Sequence, residues 1–280
     1  MSKYERPSVG PTGLGEDERL GIVNYLIWGL ATLALATFFY YMFFGKSEVV
    51  DPLTNCGSNP AKHLAVLVDL SDPLAAAQRA SLVNRFLEIS NVARGESGIA
   101  LSKGDKLTVY FVTKSDTPEL VFQACSPGNV DEVDRLNQAA NRVQAQWRKF
   151  SLDMISRVDE KISNVDPLSE SYIVESLAYI RAKEFPPSDQ ILKSDQKLSI
   201  VIISDFLQSS PLFSHYNSQP LAAAELHQQF PILLNGIEID ALYVSNRKYL
   251  KYQSPELLTW WREYFSEGIT GSNLKSWRAL

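Results

Sequence analysis

Three short stretches hold the residue types and spacing that could do chemistry. In KHLAVLVDLSDP, residues 62–73, an apolar run from His63 to Val68 breaks into Asp69, Ser71 and Asp72, and Pro73 closes it. In VIISDF, Asp205 follows the apolar run Leu198–Ser204 in the same way. Ser169-Glu170-Ser171 opens the helical stretch that precedes that second run. In an open parallel sheet, ligands sit outside the carboxyl ends of the strands, where the strand order reverses. Asp69, Ser71, Asp205 and a hydroxyl of Ser169-Glu170-Ser171 at one such edge would be a set of hard oxygen ligands. That set suits Mg²⁺, Mn²⁺ or Ca²⁺ rather than zinc. The competing reading is that Asp69 and Asp205 cap turns and accept backbone N–H groups.

The elements that must position these residues follow from periodicity. His63–Val68 and Leu198–Ser204 are continuous apolar runs, as expected for strands buried on both faces. Lys106–Thr113 is β-branched and aromatic, Glu119–Ala124 is a short hairpin partner for it, and Glu238–Val244 is a fifth strand. Helices are expected over Pro73–Ile89, Ser171–Lys183 and Pro255–Glu267, the last behind a Ser254 cap. Strands alternating with helices predict an α/β, doubly wound, mostly parallel sheet with helices on both faces. The 280 residues, 45% of them apolar, suffice for one full-sized domain with extras.

A long helical insertion is expected at about 130–162. Val133, Leu136, Ala140, Val143, Trp147, Phe150 and Met154 alternate steps of three and four, which is a heptad seam. A helix of that length would run roughly 50 Å. It is read either as an ordinary covering helix or as one that projects and docks another helix.

The rest of the chain divides by composition. Residues 1–20 read as a disordered tail, 21–44 as a transmembrane helix, 45–61 as a linker and 62–280 as the α/β domain. Gly21–Phe44 carries no charge and matches the roughly 20 residues needed to cross a bilayer, with aromatics at both ends. Ala34-Leu35-Ala36 resembles a signal-peptidase site, but acids precede the run and apolar residues continue past it. Lys3, Arg6 and Arg19 before the span against Lys46 and Lys62 after it give a slight bias to a cytoplasmic N-terminus. The net charge of −5 gives no basic field for nucleic acid.

Asp69-Leu70-Ser71-Asp72-Pro73, Ser171 in Ser169–Leu177 and Asp205 together resemble the von Willebrand factor A (vWA) domain and its metal-ion-dependent adhesion site. The resemblance covers roughly residues 62–268 and implies a doubly wound fold. It also implies Mg²⁺ or Mn²⁺, with Ca²⁺ less favoured, on Asp69, Ser71, Ser171 and Asp205. Pro73 stands where the family has a second serine and Ser171 where it has threonine. The motif is therefore partly degenerate, and the metal is either retained or lost. The family's second and third strands form a hairpin beside the first, which implies that Cys125 and Cys56 meet as a disulfide. A disulfide favours an exoplasmic or periplasmic soluble domain.

These features imply a membrane-anchored module that engages a protein partner at the metal edge within an envelope assembly. The alternative is a structural subunit with a vestigial metal site that binds through the long helix. An enzyme is not expected. Asp69-Leu70-Ser71 resembles a phosphatase D-x-D loop, but Ser71 cannot act as its general acid. No nucleophile elbow or P-loop is present. His63, His215 and His227 lack metal-ligand spacing; His63 is expected to be packed and His215 solvated.

Overall fold

The computed structural model describes residues 16–44, 51, 54–57, 60–70, 73–90, 100–128, 140–164, 168–191, 195–217 and 220–280. The chain forms two compact units, residues 1–48 and 49–280.

In the first unit, α1 runs over Glu16–Phe44. Thr32 and Thr37 donate their hydroxyls back to the carbonyls of Trp28 (2.9 Å) and Leu33 (2.6 Å), which satisfies them within an apolar helix. Tyr25, Trp28, Leu30 and Leu33 are all exposed. Among the described residues no helix is long and apolar enough to cross a membrane. The span expected over 21–44 is thus without support from the structure.

The second unit is built on six strands: β1 Lys62–Val68, β2 Lys106–Phe111, β3 Glu119–Cys125, β4 Lys197–Ser204, β5 Ile237–Tyr243 and β6 Asn273–Ala279. Their order in the sheet is β3-β2-β1-β4-β5-β6. All neighbours pair parallel except the β2–β3 hairpin. The order reverses between β1 and β4, so the carboxyl ends of these two strands flank the switch point. The helices are α2 Ala76–Ser90, α3 Ala140–Ser163, α4 Ile173–Glu184, α5 Ser188–Ile191, α6 Ala223–Gln229 and α7 Pro255–Tyr264.

The strand period of two explains the two cores. Leu64, Val66 and Val68 of β1 join Leu82 and Phe86 of α2 and Phe150 and Met154 of α3 on one face. Ala65 and Leu67 join Ile173 and Leu177 of α4 and Trp261 of α7 on the other. With helices on both sides, β1 is apolar at every position from Leu64 to Val68. Burying each of its larger side chains stabilises the fold by on the order of 2 kcal/mol.

The heptad seam is used within the domain. Phe150, Met154, Val158 and Ile162 are buried against the sheet face, Val143 is buried too, and Trp147 Nε1 donates to the Ser90 carbonyl (2.8 Å). Arg79 of α2 clamps Asp159 of α3 with two hydrogen bonds of 2.8 and 2.7 Å. The described part of the 130–162 stretch is a covering helix. That part fills this domain's own core; Val133 and Leu136 lie outside the described residues.

The chain enters the sheet at its amino end. Cys56 and Cys125 are joined in a disulfide, with Cα atoms 4.9 Å apart. The Cys125 N–H donates to Thr54 O (2.8 Å) and the Lys197 N–H to Ala61 O (2.9 Å). The disulfide expected from the resemblance is thus formed, because the β2–β3 hairpin returns β3 to the end where β1 begins.

Candidate functional site at the carboxyl edge

Asp69 is the first residue beyond β1. Its N–H still donates to Ile203 O of β4 (2.8 Å), so the strand ladder fixes its backbone while its carboxylate reaches the rim. Oδ2 accepts from Ser204 Oγ (2.8 Å) and from Ser171 Oγ (2.9 Å). Ser204 is the last residue of β4, and Ser171 lies just before α4. Ser171 is held there by a reciprocal backbone pair with Ser209, at 2.7 and 2.9 Å. All three of these side chains are buried.

Asp205 is the first residue beyond β4. Its Oδ1 accepts the Leu207 N–H (3.0 Å), and its Oδ2 accepts from Asn246 Nδ2 (3.2 Å). The next residue, Phe206, has φ of 61°, in the left-handed region that non-glycine residues seldom occupy. Such a conformation costs of order 1 kcal/mol and persists where surrounding structure holds it. Here the Phe206 ring packs against Trp277 and Trp261, at 4.5 and 5.5 Å between centroids. Its carbonyl accepts from Trp261 Nε1 (2.8 Å). The Phe206 N–H donates to Ser204 Oγ (2.7 Å), and that hydroxyl donates on to Asp69. One reversed residue thus turns the chain after Asp205 and links it to Asp69 through Ser204.

Two glutamines brace this arrangement. Gln253 Nε2 donates to the carbonyls of Val244 (2.9 Å) and Asp205 (3.2 Å). Gln208 is fully buried, accepts the Val174 N–H at the start of α4 (3.0 Å) and donates to Glu175 (2.9 Å). Tyr172 offers no side-chain cap to α4, so Gln208 supplies one from another loop.

Asp69 and Asp205 lie together on a cleft of about 770 Å³ whose walls include Leu74, Gln78, Val244, Asn246, Arg247 and Lys248. Ser171 does not line it and meets the site only through Asp69. Ser71, the remaining candidate ligand, lies outside the described residues. Burial, and after it the Asp205 charge, push the phenol of neighbouring Tyr243 up to about 12.

By type, the two carboxylates that line the cleft suit a hard cation. Among the described residues no three His, Cys, Asp or Glu side chains gather as a metal group. A cation here would rest on two carboxylates, with neutral oxygens completing its shell. The sequence reading placed Asp69, Ser171 and Asp205. It missed Ser204, Asn246, Gln208 and Gln253, of which only Ser204, a hydroxyl directly before Asp205, carries a local signal.

A second cleft, of about 420 Å³, lies at the amino end and is lined by Cys56, His63, Lys106 and Glu184 among others. Glu184 accepts from Lys106 Nζ (2.8 Å) and from the Tyr110 hydroxyl, and lies 3.5 Å from His63 Nε2. Burial pushes the Glu184 carboxyl up, but hydrogen bonds from Lys106 and Tyr110 and the charges of Lys106 and His63 outweigh it and hold the group below its ordinary value. Burial and then the Lys106 charge press His63 down to about 4. His63 is packed as expected; His215 is not solvated. His215 is buried between Phe213 (4.5 Å) and Trp260 (4.9 Å), and burial lowers it to about 3. Neither of its ring nitrogens has a hydrogen-bond partner among the described residues.

The fold and site together define a doubly wound α/β domain with its cleft at the topological switch point. No family model matches the chain, and no curated protein matches it. Solved structures do. The chain is similar to proximal thread matrix protein 1 from the mussel byssus, at 14% identity over 79% of this chain and 41% of that one, with a TM-score of 0.37. It is similar to the SpRpn10 VWA domain, at 8% identity over 78% and 88% of the two chains, TM-score 0.34. It is also similar to the ArnB paralog VWA2 from Sulfolobus acidocaldarius, at 9% identity over 68% and 36%, TM-score 0.33. The chain thus spans less than half the length of the mussel protein, which has also been solved with a zinc-occupied MIDAS motif. Likeness at this level carries no argument about what the chain does.

Proposed function

We propose that this chain is a vWA-like protein-binding module that engages a partner protein at the Asp69–Asp205 cleft. The observation that supports the reading most is that these two acids, far apart in sequence, line one cleft at the switch point. Asp69 and Asp205 would hold Mg²⁺ or Mn²⁺ there, with Ser71 the hydroxyl ligand expected from the sequence and Ser171 orienting the Asp69 carboxylate. When bound, such an ion supplies an open coordination position to an oxygen ligand of the partner. The protein's own part is to fix the two carboxylates through Ser204, Asn246 and the reversed Phe206. No reaction is assigned to the chain.

The uncharged stretch 21–44 supports anchoring in a membrane, with residues 62–280 on the exoplasmic side as part of an envelope assembly. The Cys56–Cys125 disulfide supports an oxidising compartment for that domain. Cys56 lies at the amino end of the sheet and the cleft at the carboxyl end, so the cleft opens away from where the chain enters the domain.

A second reading rests on Asp205, both of whose carboxylate oxygens already accept N–H donors. In it the acids serve only as internal acceptors, and the chain is a metal-independent structural subunit. Calorimetric titration of the full chain with Mn²⁺ and Mg²⁺ separates the two. The first reading expects single-site binding that Asp69→Ala weakens at least tenfold, with the fold intact by circular dichroism. No binding by the unmodified chain would leave the second.

A further inference from the structure

The turn that follows β5 carries a feature that the proposed metal edge does not use. Arg247, Lys248 and Lys251 are exposed within five consecutive residues of a chain whose net charge is −5. A 3-10 turn, Arg247–Tyr249, presents them. The turn is firmly built. The Lys248 N–H donates to Asn246 Oδ1 (3.1 Å), and the Asn246 N–H donates to Gln253 Oε1 (2.7 Å). Tyr249 and Tyr252 pack on Tyr216, at 5.5 and 4.7 Å. Lys248 Nζ sits 4.6 Å over the Tyr249 ring, and Lys251 Nζ sits 4.6 Å over the Tyr252 ring. The ring faces hold the ammonium groups in place, which lowers the entropy lost when an anion meets them.

Arg247 and Lys248 also line the wall of the cleft, beside apolar Leu74 and Val244. We propose that this basic turn anchors an acidic segment of the partner protein, with its carboxylates on Arg247, Lys248 and Lys251 and its apolar side chains in the cleft. The proposal rests on the reading of this cleft as the partner-binding face and adds the chemistry of the partner. Arginine pairs with carboxylates through two parallel hydrogen bonds, which gives the turn orientation as well as charge. A discrete segment fits better than an extended anionic surface. Arg247 and Lys248 stand on the wall of a concavity that has Asp69 and Asp205 in it, and a flat anionic layer or a polyphosphate backbone would meet those acids as well.

The test uses the full chain in detergent and a fluorescent peptide of alternating Glu and Leu, read by anisotropy in metal-free buffer, with a Lys–Leu peptide as control. The Glu–Leu peptide is expected to bind at low salt and to weaken markedly at about 0.3 M salt, where the Debye length falls below the reach of the turn. The charge-reversed variant Arg247→Glu/Lys248→Glu/Lys251→Glu is expected to lose about tenfold or more in affinity. Mn²⁺ titration of the unmodified chain, run beside the metal-free peptide assay, tells failure of this proposal from failure of the metal reading. Equal binding by the reversed variant, or no peptide binding by the unmodified chain, would overturn the proposal. So would a turn-dependent affinity for phosphatidylserine vesicles that displaces the peptide.

Discussion

The two ends of one sheet hold their buried acids in opposite ways. At the amino end Glu184 meets the Lys106 ammonium and the Tyr110 hydroxyl, with His63 beside it, and a disulfide ties the entering chain over the cleft. At the carboxyl end Asp69 takes two serine hydroxyls, and Asp205 takes a backbone N–H and an amide. A carboxylate balanced by a cation a few ångströms away belongs to the architecture, and breaking such a buried pair leaves an uncompensated charge. The carboxylates held by these neutral donors both line the cleft. The same sheet thus ends in a cation-paired acid on one side and in acids held by neutral donors on the other.

The sharpest break of the amino end is loss of the disulfide. Its closure spans a sequence separation of 69, so replacing Cys56 and Cys125 with serine is expected to cost about 4 kcal/mol in urea unfolding. If the two ends are independent, Mn²⁺ affinity at the carboxyl edge should stay within about twofold, as expected for sites without shared partners. A parallel fall in affinity would mean that the ends are coupled.

A smaller effect comes from acid. His63 and His215 are depressed in the fold to about 4 and about 3 from an ordinary 6.5. Below pH 6.5 the unfolded chain takes up protons on these rings that the folded chain refuses. Stability is therefore whole above pH 6.5 and falls as the pH drops from 6.5 toward 4. At pH 5 each histidine contributes a loss of about 2 kcal/mol. Glu184, held below its ordinary value, adds its own loss only as the pH falls through the carboxylate range. Urea midpoints measured from pH 7 to 4.5 should show this slope, and His63→Gln should remove about half of it. An unchanged slope in His63→Gln would place the acid sensitivity elsewhere.

Much of this was legible in the sequence, for physical reasons. A strand covered on both faces must be apolar throughout, and that pattern marked β1 and β4; the acids directly after them marked the switch point. β6 was missed because Asn273–Ala279 is a sheet edge with mixed polar and exposed positions, so no burial pattern stands out. The short α6 left too few residues for a helical period. The heptad seam was legible, but what covers it was not, since any apolar face can fill its own core as in α3. Asn246 and Gln253 join the site only through long-range hydrogen bonds, which no local spacing records. His215 sits in a polar loop, and only the folded positions of Phe213, Trp260 and Trp261 bury it.

The central claim is that the Asp69–Asp205 rim is built to present its acids to a ligand, and crystals of the full chain soaked in Mn²⁺ test it most directly. Anomalous scattering should show one manganese peak in the cleft between the two carboxylates, absent from Asp69→Ala crystals. No peak in the cleft, or the same peak after Asp69→Ala, would contradict the claim.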